Sequence, residues 1–190
     1  MTTVAHDTQQ ARPRSLLATI WPGALGALVA VGTVYGLVDG RDVASVVIAS
    51  GLVYLAAAAF RRRGAAWPAF GVTFVLIALA KLVELDAALW MLVGAAVLVV
   101  VGAAAGGWQP RWRLPLQTVA MLALAAIALL AVRVDAMAGG LLVSAALLAH
   151  AGWDVYHHRT GRVVTRSLAE FCCVLDVVLA LLVAIVTLTA

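Results

Sequence analysis

The side chains of this sequence best suited to chemistry are concentrated in residues 150–176. They read His150-Ala-Gly-Trp-Asp154-Val-Tyr-His157-His158, then a basic stretch, then Glu170-Phe-Cys172-Cys173-Val-Leu-Asp176. Three of the four histidines of the chain lie here. His150, Asp154 and His158 are spaced i, i+4, i+8, which puts them on one face of a helix. Glu170, Cys173 and Asp176 are spaced i, i+3, i+6 and span about a third of a helix circumference at roughly 100° per residue. Histidine, cysteine and carboxylate are the ligands that Zn²⁺ takes. Histidine also changes charge near neutral pH, which suits it to moving protons.

One ion cannot use all of these groups, because His150 and His158 are about 12 Å apart along a helix axis. Two ligand sets follow. The deeper set is His150, Asp154 and Asp176. The shallower set is Asp154 with His157 or His158, Cys173 and Glu170. The deeper set is preferred, because His150 and Asp176 are embedded in apolar sequence, where an ionisable group is costly and marks function. The cofactor expected is Zn²⁺ or another divalent metal, with Asp154 or Glu170 as the catalytic base that takes a proton from metal-bound water.

An antiparallel pair of helices brings these groups to matching depths. Residues at equal depth then have a constant index sum: His150 with Asp176 gives 326, Asp154 with Cys172 or Cys173 gives 326 or 327, and His157 with Glu170 gives 327. The competing reading is structural. In it His157, His158 and Glu170 sit in the headgroup layer, Asp154 pairs with Arg162 or Arg166, and His150 hydrogen-bonds Asp176 to join two helices.

The elements that must position these residues follow from composition. Of 190 residues, 65% are apolar and 12% charged, and the mean hydropathy is +1.07. A soluble domain is about half apolar and a quarter charged, so a soluble enzyme or a disordered tail is excluded. A helix needs roughly 20 apolar residues to cross a bilayer. Seven runs qualify, at about 15–38, 43–60, 66–84, 87–105, 115–133, 137–156 and 170–189. The expected fold is an all-α, polytopic integral membrane protein, a seven-transmembrane-helix bundle. Residues 1–14 form a short cytoplasmic N-terminal tail and 15–190 a single transmembrane domain. Transmembrane strands would alternate apolar with polar residues, and runs such as 93–105 do not. A cleaved signal peptide is disfavoured, since the first apolar run exceeds the usual 7–15 residues.

Charge orients the bundle. With seven crossings, ten of the thirteen basic residues fall on one side: Arg12, Arg14, Arg61, Arg62, Arg63, Arg111, Arg113, Arg159, Arg162 and Arg166. By the positive-inside rule that side is cytoplasmic, with the C-terminus external. Trp21, Trp67, Trp108, Trp112 and Trp153 fall near the same boundary and Trp90 near the other, as interfacial anchors do. The pI of 9.7 is therefore topology. Its partners are the lipid bilayer and anionic headgroups at the cytoplasmic arginines, and nucleic acid is excluded. At the outer end Lys81, Glu84 and Asp86 read as loop anchoring, with Lys81 and Glu84 paired at i, i+3.

Gly32 with Gly36 and Gly102 with Gly106 have the Gly-x-x-x-Gly spacing that lets helices approach. The first reading is packing within one chain and the second a homodimer. Adjacent Cys172 and Cys173 are read as free thiols. No phosphate-binding loop, His-Glu-x-x-His or Gly-x-Ser-x-Gly motif occurs, and the one lysine, Lys81, is not in the last helix, which excludes a retinal linkage there. Arginine in place of lysine, with heavy Ala, Val and Leu use, suggests a bacterial plasma-membrane protein. Three functions are carried forward: a metal-binding, Zn-dependent hydrolase-like site formed by the sixth and seventh helices near the cytoplasmic face; a proton-coupled transporter using His150 and Asp176; and an accessory subunit without chemistry of its own.

Overall fold

In a computed structural model, which describes residues 16–83 and 85–190, seven α-helices follow one another: α1 Leu16–Val34, α2 Ala44–Ala59, α3 Ala66–Val83, α4 Ala87–Ala104, α5 Leu114–Ala131, α6 Ala136–Thr160 and α7 Arg166–Thr189. Short 3-10 turns, Gly40–Val43 and Arg63–Ala65, lead into α2 and α3. The described residues contain no strand. Six of the helices are long and apolar enough to cross a membrane, while the apolar part of α1, Thr19–Val34, is shorter. The chain is thus a helical bundle of the kind that spans membranes. The expected tail 1–14, with Arg12 and Arg14, lies outside the described residues, as does Glu84 and with it the Lys81–Glu84 pair.

Each apolar run forms a helix, and the differences lie at the ends. Helix α1 stops at Val34 rather than 38, and the turn beyond it uses Gly36 at φ +75°. Helix α6 runs four residues past the apolar stretch, to Thr160, and α7 starts four residues early, at Arg166. Hydropathy marks where lipid contact ends, whereas caps mark where the helix ends. Gly161 closes α6 in the left-handed conformation, its N–H donating to His157 O. Thr165 caps α7 by accepting from Leu168 N.

Helix α2 is the centre of the bundle. Of its apolar span 78% is buried, against 11% for α3 and 22% for α4. It packs on α3, α4, α5 and α6, while α7 packs on α6 and α1. Its residues are small where neighbours press closest: Ala56, Ala57, Ala58 and Ala59 are all buried. A side chain at Gly51 would come within 2.8 Å of Met121 Sδ on α5.

The glycine spacing needs correction. Gly32 and Gly36 have nothing near enough for a helix contact, and Gly36 lies beyond the end of α1. Gly102 does allow α4 onto α2, since a Cβ there would be 3.0 Å from Ala59 Cα, but Gly106 is a turn residue at φ +73°. The closest approaches are elsewhere. Gly26 brings α1 against the backbone of α7 at Phe171, and Gly140 brings α6 against Thr187.

Contacts between loops confirm the alternation of the chain. At one end Arg41 Nη1 donates to Val134 O at 2.9 Å, tying the α1–α2 turn to the α5–α6 turn. Its other donors clasp Asp39 at 2.6–3.1 Å. At the opposite, arginine-rich end, the Arg162 guanidinium lies 5.6 Å from the centre of the Trp112 ring. Trp21 of α1 stacks on Trp67 of α3 there, ring centroids 5.5 Å apart.

Candidate metal centre

Antiparallel packing of α6 on α7 brings His150, Asp154 and Asp176 together in the interior. His150 Nδ1 lies 2.8 Å from Asp176 Oδ2 and 3.5 Å from Asp154 Oδ2. Tyr54 of α2 donates its hydroxyl to Asp154 Oδ1 at 2.5 Å. None of the three is more than 3% exposed. Asp176 is about ten residues, or roughly 15 Å, from the start of α7.

The depth matching holds at its first level, where His150 meets Asp176. At the second, Asp154 turns toward α2 and bonds Tyr54, and it pairs with neither Arg162 nor Arg166. At the third, the partners diverge. Glu170 precedes Asp176 by six residues, which rotates it by about 120°. It faces α1, where a Cβ on Gly23 would be 3.6 Å from its Oε1. His157 is only 1% exposed. Its Nε2 is 3.2 Å from Gln117 Nε2 and its Nδ1 3.3 Å from Trp153 O. Trp153 in turn donates to Gln117 Oε1 at 3.3 Å. His158 and Cys173 are half-buried and Cys172 is buried.

The electrostatics of the trio are those of groups withdrawn from water. Buried polar atoms are nearly always paired, yet His150 Nε2, Asp154 Oδ2 and Asp176 Oδ1 have no hydrogen-bond partner. Each unpaired group costs about 1–3 kcal/mol. With Nδ1 donating to Asp176, a neutral His150 has its lone pair on Nε2. Both carboxylates lie on the Nδ1 side of the ring, 2.8 and 3.5 Å from it. His150, Asp154 and Asp176 each offer a ligand atom, all within 4.8 Å of one another, and they form the group of three found among the described residues. The shallower set of His157 or His158, Cys173 and Glu170 is not gathered in this way.

Two residues of the site are absent from the sequence reading. Tyr54 stands between the two histidines, its ring edge-on to His150 at 5.3 Å and to His157 at 4.9 Å between centroids. Gln117 links His157 to Trp153. Their signal was present, since each is an isolated hydrogen-bonding side chain inside an apolar run, and such a group needs a partner when buried.

A cavity of about 470 Å³ adjoins the trio, between α1, α2, α3 and α7, with Asp176 and Cys172 in its wall. Comparison of the chain with protein-family models, with curated proteins and with solved structures returns no match.

Proposed function

We propose that this is a metal-binding membrane protein whose single divalent ion, Zn²⁺ or a similar metal, is held by His150, Asp154 and Asp176. One observation carries the reading: three buried residues on two helices each offer a ligand atom, all within 4.8 Å of one another. Tetrahedral bonds of about 2.0–2.2 Å to Zn²⁺ set ligand atoms roughly 3.4 Å apart, so His150 Nδ1 and Asp176 Oδ2, at 2.8 Å, would move outward and the wider pairs inward. Bound metal supplies an acidified water and a Lewis acid, the requirements of hydrolysis. Asp154, oriented by Tyr54, is the base within reach of such a water. Glu170, on the α1 side, stands apart from it.

The bundle is oriented with its arginine-rich end and N-terminus in the cytoplasm, where arginines meet anionic headgroups, and its C-terminus outside. The membrane is a bacterial plasma membrane. These placements rest on charge and composition.

The test is metal content. Detergent-purified protein is expected to carry about one equivalent of metal by elemental analysis, the occupancy of a single three-ligand site. His150→Ala and Asp176→Ala lose it while helical circular dichroism persists, and His158→Ala retains it. Wild-type protein that stays metal-free after incubation with Zn²⁺, Mn²⁺ or Fe²⁺ overturns the proposal.

A second reading has its own support. Tyr54, Asp154, His150 and Asp176 form a contiguous series of polar contacts of 2.5, 3.5 and 2.8 Å, the kind of arrangement that moves protons in carriers. In that case proton flux into proteoliposomes occurs without metal and stops in Asp176→Asn.

A further inference from the structure

The cavity beside Asp176 has a floor, two walls and an open side. Its floor is aromatic. Phe70 packs edge-on to Phe171 at 4.7 Å between centroids, and Trp67 lies 5.2 Å from Phe171. The Trp21–Trp67 stack draws α1 and α3 together below it. Above this clasp α1 is held by α7 and α3 by α2, and a cleft opens between them. Leu28 and Phe74, on its two rims, are 68% and 49% exposed. In a membrane that side faces lipid. Along α3 the lining runs from Phe70 to Lys81, about 16 Å at 1.5 Å per residue.

The polar groups in the lining define what fits. The hydroxyls of Thr33, Ser50 and Thr73 donate to the carbonyls of their own helix, at 2.8, 3.1 and 2.9 Å. They offer the cleft acceptor lone pairs. Asp176 adds a buried carboxylate whose Oδ1 has no partner. The one basic side chain of the lining, Lys81, is at the far end of the cleft. A ligand reaching Asp176 must therefore bring its own hydrogen-bond donor and be apolar elsewhere. Small-molecule sites of about 300–1,000 Å³ with apolar walls and a few converging polar groups have this form.

We propose that the α1–α3 cleft binds a slender, neutral lipophile bearing a hydroxyl group, a long-chain or isoprenoid alcohol, which enters sideways from the bilayer and donates its hydroxyl to Asp176. This deepens the metal-centre reading, on which it rests only for the consequence: the same carboxylate borders the cleft and belongs to the trio, so the alcohol oxygen of the ligand, or the bond beside it, is delivered to the metal. Cleft occupancy itself needs no metal.

The experiment uses full-length protein in lipid nanodiscs and a diazirine-bearing hexadecanol as probe. Photolabelling is expected at Phe74, Ile77 or Leu175, displaced by unlabelled hexadecanol and not by hexadecane. Gly32 lines the cleft and a Cβ there has nothing within 4 Å, so Gly32→Phe begins in open space and extends a ring into the cleft. It is expected to cut labelling about tenfold or more while metal content is unchanged. Asp176→Asn is expected to weaken competition by hexadecanol about tenfold, the size of one hydrogen bond to a charged acceptor. Labelling spread evenly over outward residues such as Leu82 and Val100 and insensitive to Gly32→Phe overturns the proposal, as does equal competition by hexadecane. Cleft labelling in a protein that takes up no metal overturns the metal centre alone.

Discussion

Tyr54 lies one hundred residues from Asp154 in the chain and donates its hydroxyl to it. The phenol ring also fills the space between His150 and His157, so it fixes Asp154 by a hydrogen bond and His150 by packing. Tyr54→Phe retains the packing and removes the donor. Asp154 Oδ1 is then buried and unpaired, at a cost of about 1.5–3 kcal/mol for a bond to a charged group. The expected result is a lower melting temperature in detergent. Metal affinity is expected to fall about 10–100-fold, as when the group supporting a ligand is lost. Unchanged metal affinity in Tyr54→Phe would show that Asp154 needs no such support. His150 and Asp176 were legible as a pair because two helices joined by a short loop must be antiparallel. Tyr54 was not, because nothing in a one-dimensional pattern says that α2 passes behind α6.

At the scale of helices, glycine positions separate contact from coincidence. Gly26 touches the backbone of α7 at Phe171, whereas Gly32 faces open space. Gly26→Ala is expected to push α1 off α7 and lower the melting temperature. Gly32→Ala is expected to be neutral or stabilising by up to about 1 kcal/mol through helix propensity. Equal effects of the two would contradict this packing. The Gly-x-x-x-Gly spacing read in the sequence failed at Gly36 because the helix ends two residues earlier, and a spacing rule presumes a continuous helix.

The α1–α2 turn carries a pH dependence. Hydrogen bonds from the Arg41 side chain and backbone hold the Asp39 carboxyl below its ordinary value of 3.8. A carboxyl lowered on folding stabilises the fold above its unfolded value and loses that contribution as pH falls through its folded value. The Asp39 side chain is 27% exposed and that of Arg41 31%, so water screens the pair and the effect is small. Asp39→Asn is expected to melt slightly below wild type at neutral pH, with the difference vanishing as pH falls below the lowered value of the Asp39 carboxyl. A difference that grows on acidification would contradict the sign.

For the molecule as a whole, composition was enough to establish a helical membrane bundle, because 65% apolar residues in long runs leave few alternatives. Arrangement was not legible in the same way. Mean hydropathy is nearly the same for α2 and α3, so nothing in it singles out α2, at 78% burial of its span, from α3 at 11%. The distinction lies in residue size, with four successive buried alanines at the end of α2. Orientation is a property of the whole chain, and a reporter fused to the C-terminus reads it. An enzyme active only outside the cytoplasm, such as a periplasmic phosphatase, is expected to be active there, and an intracellular fluorescent reporter dark. The reverse pattern would invert the bundle.

The central position of α2 divides the protein by its sensitivity to bilayer thickness. A mismatch between helix length and hydrocarbon depth is relieved by tilting the helices that touch lipid. Helix α3, attached mainly through α2 and the Trp21–Trp67 clasp, is free to tilt about that clasp. Helices α6 and α7 are braced against each other, against α2 and against α1. Thinner or thicker membranes are therefore expected to change the width of the α1–α3 opening and to leave the His150–Asp176 distance where it is.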